Sequence, residues 1–155
     1  MIKKKFTLFL FLFLSSCGYE AVHSVKNSIK YADFSISELT FSGNRDINVK
    51  IKQKLNRYTL IEKDKNFTLR ISSISEKIVS AKDSAGDPTS FKNTVIIKVE
   101  ILIDNNLKNT IQISEDFNYN NISNKFDLKT YEREITNNLT EIVSNKLLSK
   151  LSNIR

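Results

Sequence analysis

The chain carries a single thiol, and its neighbours decide what that thiol can do. Cys17 closes the run Leu14-Ser15-Ser16-Cys17. Upstream, Lys3, Lys4 and Lys5 form a short positive head, and Phe6 to Leu14 is apolar apart from Thr7. A basic head, a short apolar run and small residues before a cleavage point make an export signal. The run is too short to span a bilayer, which takes about 20 residues. In a leucine–small–small–cysteine arrangement the sulfur receives a lipid and the chain is cut just before it. Cys17 is therefore expected to become the first residue, with a diacylglycerol on its sulfur and an acyl group on its amine. One acyl chain holds a protein only reversibly, at about 0.8 kcal/mol per buried methylene, so this set exceeds what stable anchoring requires. The acylated sulfur is then lost to disulfide, metal and nucleophile chemistry alike, and the fold must stand without staples.

The rest of the sequence offers little to a catalyst. The only histidine, His23, follows Cys17 by six residues in a polar stretch and has no cysteine to work with. General acid–base chemistry needs a positioned neighbour and a cleft. Glu115 and Asp116 are adjacent and would face opposite sides of a strand, while Glu132 and Glu134 diverge on a helix. An enzyme acting on cell-wall sugars would need two carboxylates roughly 5 to 9.5 Å apart, and neither pair supplies them. No phosphate-cradling glycine loop, metal-ligand spacing or nucleophile elbow occurs. The expectation is a non-enzyme with no metal and no cofactor beyond the covalent lipid on Cys17.

The expected division is a signal over 1–16, a lipidated tether over 17–30 and one domain over 31–155, long enough to bury roughly two thirds of its unfolded surface. The formal net charge is +7, and removing the signal leaves about +4. That surplus is mild and spread along the chain. It suits anionic head groups or phosphates, whereas nucleic acid would call for a clustered patch.

The periodicities then name the elements. Tyr31 to Phe41 reads as a strand through Phe34, Ile36, Leu39 and Phe41, with a phase slip near Glu38 that a bulge would absorb. After Ser42-Gly43-Asn44, Ile47, Ile51, Leu55 and Tyr58 form the apolar stripe of a helix capped by Asn44 or Asp46. Lys50, Lys52, Lys54 and Arg57 lie off that stripe as a basic face. Phe67, Leu69 and Ile71 alternate as a strand that continues less cleanly through Ile74 and Ile78. Gly86-Asp87-Pro88 marks a turn. Phe91 to Ile103, apolar at Val95, Ile97, Val99 and Ile101, belongs in mid-sheet. Asp104-Asn105-Asn106 turns it into Leu107 to Tyr119 as a hairpin, in which Glu115 breaks the apolar face. From about Asn124 the period is helical, through Leu128, Tyr131, Ile135, Leu139 and Ile142, then Val143, Leu147, Leu151 and Ile154. The drift of this stripe suggests that the last turns bend or dock separately. The expected fold is α+β, a two-layer sandwich with a roughly four-stranded sheet covered by two helices in the order β-α-β-β-β-α.

In this organisation the chain resembles the lipopolysaccharide (LPS)-assembly lipoprotein family (LptE), the small partner of the outer-membrane LPS translocon barrel (LptD). The resemblance is carried by Cys17-Gly18-Tyr19, by the helix from Asn44-Arg45 to Leu55, and by the hairpin Phe91–Ile103 and Leu107–Phe117. It is carried also by Phe117-Asn118-Tyr119-Asn120 and Asn124-Lys125-Phe126, leading into a helix that ends Leu147-Leu148-Ser149-Lys150-Leu151. By similarity to the sorting pattern of Gram-negative lipoproteins, Gly18 after the cysteine implies the outer membrane. The resemblance implies a lipid-anchored scaffold, on the periplasmic side or inside the barrel lumen, that plugs the barrel, supports its assembly and helps deliver LPS. It also implies LPS-phosphate contacts for Lys82, Lys92 and Lys98 around the central hairpin. The alternative class is an auxiliary envelope lipoprotein of another lipid-export or barrel-assembly complex.

Overall fold

The computed structural model describes residues 32–154, so Cys17, His23, the expected signal and tether, and Tyr31 lie outside the described residues. The element order is β1 (Phe34–Gly43), α1 (Arg45–Leu55) with a 3₁₀ turn over Asn56–Thr59, β2 (Lys65–Lys82), β3 (Pro88–Ile103), β4 (Asn106–Asn120) and α2 (Lys125–Ser152). The strands form one sheet in the order β1-β2-β3-β4. β1 runs parallel to β2, and the two later pairs are antiparallel hairpins. The fold is the expected α+β arrangement, with both helices on one face of the sheet.

Each element follows from its residues. In β1 the register shifts between Ile36 and Glu38, so Ser37 is the extra residue that returns Leu39 and Phe41 to the helix side. β1 begins later than the pattern indicated and runs two residues past Phe41, because Ser42 and Gly43 still pair with Ser72 and Ser73. At its start Lys65 donates to Asp33 at 2.8 Å, which holds that exposed carboxyl below its ordinary range. Gly43 then turns the chain into α1 with φ +87°, and a Cβ there would lie 2.0 Å from the carbonyl oxygen of Ser73. Asn44 caps α1, its Oδ1 accepting from the N–H groups of Asp46 and Ile47 at 3.1 and 3.2 Å. The side chain thereby satisfies donors that the first helical turn leaves free.

The core lies between the helices and one face of the sheet. Ile47, Ile51 and Leu55 of α1 and Val95, Ile97, Val99 and Ile101 of β3 are at most 1% exposed. Each such side chain contributes roughly 1.5–3 kcal/mol on burial. Tyr58 sits in the 3₁₀ turn beyond α1, yet stays buried, stacked on Phe34 with ring centroids 5.0 Å apart.

α2 is one uninterrupted helix, capped by Asn124, whose last turns join the same core. Its buried line runs Ile135, Leu139, Val143, Leu147, Leu151. Steps of four residues advance about 40° each around a helix of 3.6 residues per turn. That rotation accounts for the drift in the sequence, since a straight helix on a twisted sheet meets it along such an oblique line. Ile142 falls off this line and is 42% exposed. Thr140 and Ser144 are buried beside it, because the hydroxyls of Thr136, Thr140 and Ser144 each donate back to the carbonyl four residues earlier.

Candidate functional site

Alternation sorts the sheet into two faces with different chemistry. The helix-facing side is apolar along β3 through Val95, but on β2 it turns polar from Ser73 onward. Ser73 is opposite Ile97 in the register, and Ser75 and Asn93 follow along the two strands. Asn93, only 4% exposed, donates its Nδ2 to the Thr136 hydroxyl at 2.7 Å, and Ser75 donates to its Oδ1 at 3.3 Å. Lys77 completes this layer by pairing with Glu132 of α2 while its ammonium lies 3.9 Å from the Phe91 ring centroid. The hydroxyl of Tyr119 donates to the same carboxylate at 2.9 Å. Burial is the first cause that pushes the Tyr119 phenol above its ordinary range, and the hydrogen bond to Glu132 adds to it.

This polar layer explains the irregular half of β2. Pairing of β2 with β3 is continuous from Thr68 to Val79, so Ile74 and Ile78 owe their change of phase to the faces rather than to a bulge. The helix side needs hydroxyls and an ammonium at Ser73, Ser75 and Lys77, and the isoleucines go to the other face. Glu115 has a similar reason. It breaks the apolar face of β4 because Lys146 of α2 comes down to pair with it.

The other face of the sheet has no helix over it among the described residues. Lys92 and Lys98 of β3 point to this side, as do Arg70, Ile74 and Ile78 of β2. Ile74 is 49% and Ile78 51% exposed. Lys92 lies opposite Ile78 and Asn118, and Lys98 opposite Ser72 and Gln112. Lys82 is at the far end of the β2–β3 hairpin, opposite Pro88. The three lysines therefore form a line along the hairpin and do not converge, since six residues of strand put Lys92 and Lys98 about 20 Å apart. Among the described residues none of them pairs with a carboxylate, as the ion pairs join Lys54 to Glu141, Lys65 to Asp33, Lys77 to Glu132 and Lys146 to Glu115.

Sequence reasoning missed Arg70. It lies directly opposite Glu100, and both line a shallow depression of about 310 Å³ together with Lys98, Thr40, Ser42 and Ser72. The alternation of β2 placed Arg70 away from the core, but the parallel pairing that brings β1 beside it was not visible in the sequence. Glu76 and Asp116 share this face through their pairing with Thr94, so it is mixed in charge rather than basic. The face can offer single cations, hydroxyls and exposed isoleucine to an amphiphilic or protein surface. Among the described residues no group of three His, Cys, Asp or Glu side chains is placed to hold a metal ion.

No family model matches the chain, and no curated protein sequence does. Solved structures do match in fold. Rare lipoprotein B from Shewanella oneidensis superposes with a TM-score of 0.51 at 11% identity, over 74% of this chain and 89% of that one. A minor lipoprotein from Acinetobacter baumannii gives 0.55 at 10% identity, over 75% and 90%. Lipoprotein B from Nitrosomonas europaea gives 0.54 at 11% identity, over 78% and 86%. The likeness is one of fold: the β-α-β-β-β-α sheet-and-helix domain of this chain is similar to the domain of these lipoproteins.

Proposed function

We propose that this chain is a lipid-anchored outer-membrane lipoprotein of the LPS-assembly type, which plugs and supports the LPS translocon barrel and helps deliver LPS. The observation that carries the reading is the shared fold: a four-stranded sheet with two helices on one face, similar over most of its length to three lipoproteins of solved structure. The leucine–small–small–cysteine run ending at Cys17 supports it independently, because it supplies the lipid that such proteins carry. A non-catalytic role fits the distribution of polar groups. The buried Asn93 and Tyr119, with half-buried Ser75, Thr136 and Glu132 and the exposed Lys77, are used up in holding α2 to the sheet. The exposed isoleucines and the lysine line remain available for contact.

The test is purification of the tagged protein from envelope membranes with mass spectrometry of what accompanies it. A very large β-barrel in stoichiometric amount is the expected result. A transporter or barrel-folding complex in its place would move the protein to the alternative class. Metabolic labelling with a fatty-acid analogue checks the anchor: label is expected on the parent and absent from Cys17→Ala, and label retained on the variant would refute the lipid assignment.

A further inference from the structure

The remaining charge of the domain is concentrated on one helix. Between Arg45 and Arg57 there are five cations and one carboxylate, Asp46. At about 100° per residue, the buried stripe of Ile47, Ile51 and Leu55 fixes the opposite, solvent-facing ridge as Val49, Gln53 and Asn56. Its one charge is Asp46 in the first turn, where a carboxylate suits the helix N-terminus, and Val49 is 46% exposed. The cations flank it: Lys50, Lys54 and Arg57 on one side, Arg45 and Lys52 on the other. On the first flank, Lys50, Gln53, Lys54 and Arg57 line a groove of about 280 Å³ with Asn137 and Glu141 of α2. Among the described residues Glu141 pairs with Lys54 and neither Lys50 nor Arg57 has an ion-pair partner. The apolar face of α1 is buried in the core, so what this outer face offers is five basic stems flanking a mostly uncharged ridge, which suits surface attraction to anionic head groups.

A second observation concerns where the described chain begins. Phe34, near the point where the described chain begins, stacks on Tyr58, the residue after Arg57. The described residues thus begin beside the C-terminal end of α1. Cys17 precedes Ala32 by fifteen residues, which reach at most about 50 Å when extended, so the bilayer holding the lipid is within reach of the helix. Leu60, two residues beyond Tyr58, is 79% exposed at the same end.

We propose that the outer face of α1 is a membrane-docking surface for anionic phospholipid head groups, laying the domain against the bilayer that its lipid enters. This rests on the lipid-anchor part of the proposed function and concerns the domain when it is not seated in the barrel. The test uses the chain from residue 17 with Cys17→Ser, so that no lipid contributes. Binding is measured by sedimentation with phosphatidylcholine vesicles with and without phosphatidylglycerol. The parent is expected to bind only the anionic vesicles and to be released by salt. Because each basic residue near such a surface contributes separately, the triple variant Lys50→Gln, Lys52→Gln, Arg57→Gln should bind on the order of a hundredfold more weakly, with unchanged thermal unfolding. A control of equal charge loss, Lys108→Gln, Lys125→Gln, Lys129→Gln, should bind like the parent. Failure of the parent to prefer anionic vesicles, or equal losses in both triple variants, would overturn the proposal whatever the pull-down returns.

Discussion

The hydroxyl of Tyr119 on β4 donates to Oε1 of Glu132 on α2 at 2.9 Å, and the same carboxylate pairs with Lys77 of β2. One acidic side chain thus joins the first third of the long helix to two strands that are not neighbours. The consequence is a specific pH dependence. The folded phenol is held above its ordinary value of 10.0, first by burial and then by Glu132. Above that value the unfolded chain gives up a proton that the folded chain keeps, so the folded state binds more protons and stability falls as pH rises. Tyr119→Phe should flatten this alkaline decline while costing a little stability at neutral pH. Denaturant unfolding of both proteins at pH 8 to 11 checks it. Identical slopes would show that the phenol does not report the contact.

Gly43→Ala should be severely destabilising. The φ of +87° alone costs an L-residue about 1–3 kcal/mol, and the new methyl would meet the Ser73 carbonyl oxygen 2.0 Å away. Gly86, also at positive φ but with open space around it, provides the comparison: Gly86→Ala should cost only the backbone term. Chemical denaturation of the two variants separates them, and equal losses would contradict the close approach at Gly43.

Val99→Asp should abolish cooperative unfolding. Val99 is fully buried on β3, between Ile71 and Ile111 on the flanking strands. An unpaired carboxylate there belongs to the small class of substitutions that cost more than about 4 kcal/mol. A retained sharp melting transition would contradict the packing of the central strand.

On the proposed function, the lysine line would have a graded effect on ligand rather than on assembly. Lys82→Ala with Lys92→Ala should still co-purify with a barrel partner, since stable complexes of that kind bury well over about 2,000 Å². It should bind LPS less tightly at low salt, with the difference narrowing at physiological ionic strength, where the screening length is about 8 Å. Equal binding at low salt would remove these lysines from the mechanism. Loss of the partner would make the hairpin end part of the docking surface.

The fold was legible where the two periods were clean. Ile47, Ile51 and Leu55 at steps of four, and Val95 to Ile101 at steps of two, each named an element, a buried face and, for β3, a central position in the sheet. Even the slip near Glu38 pointed to a real register shift. What the sequence did not reveal depended on partners distant in the chain. Ser75 and Asn93 look like solvent-facing residues until Thr136 is beside them, and Glu115 looks misplaced until Lys146 meets it. The candidate site was readable only in part for the same reason. Alternation put Lys92 and Lys98 on one face, but strand spacing, which sets whether charges cluster or string out, came only with the sheet. Arg70 joined them through a parallel pairing that no local pattern announces.

The mixed sheet also orders the acquisition of structure. Ile103 and Asn106 pair across a two-residue turn, in which Asp104 and Asn105 both take positive φ, as a type I′ hairpin requires. Phe34 and Lys65 pair only after the thirty intervening residues, α1 among them, have been brought round. Closing the longer loop costs more chain entropy before any contact repays it. Loop-closure entropy therefore favours the hairpin of β3 and β4 as the nucleus, with β1, the edge strand at the N-terminal end of the described residues, expected to pair last.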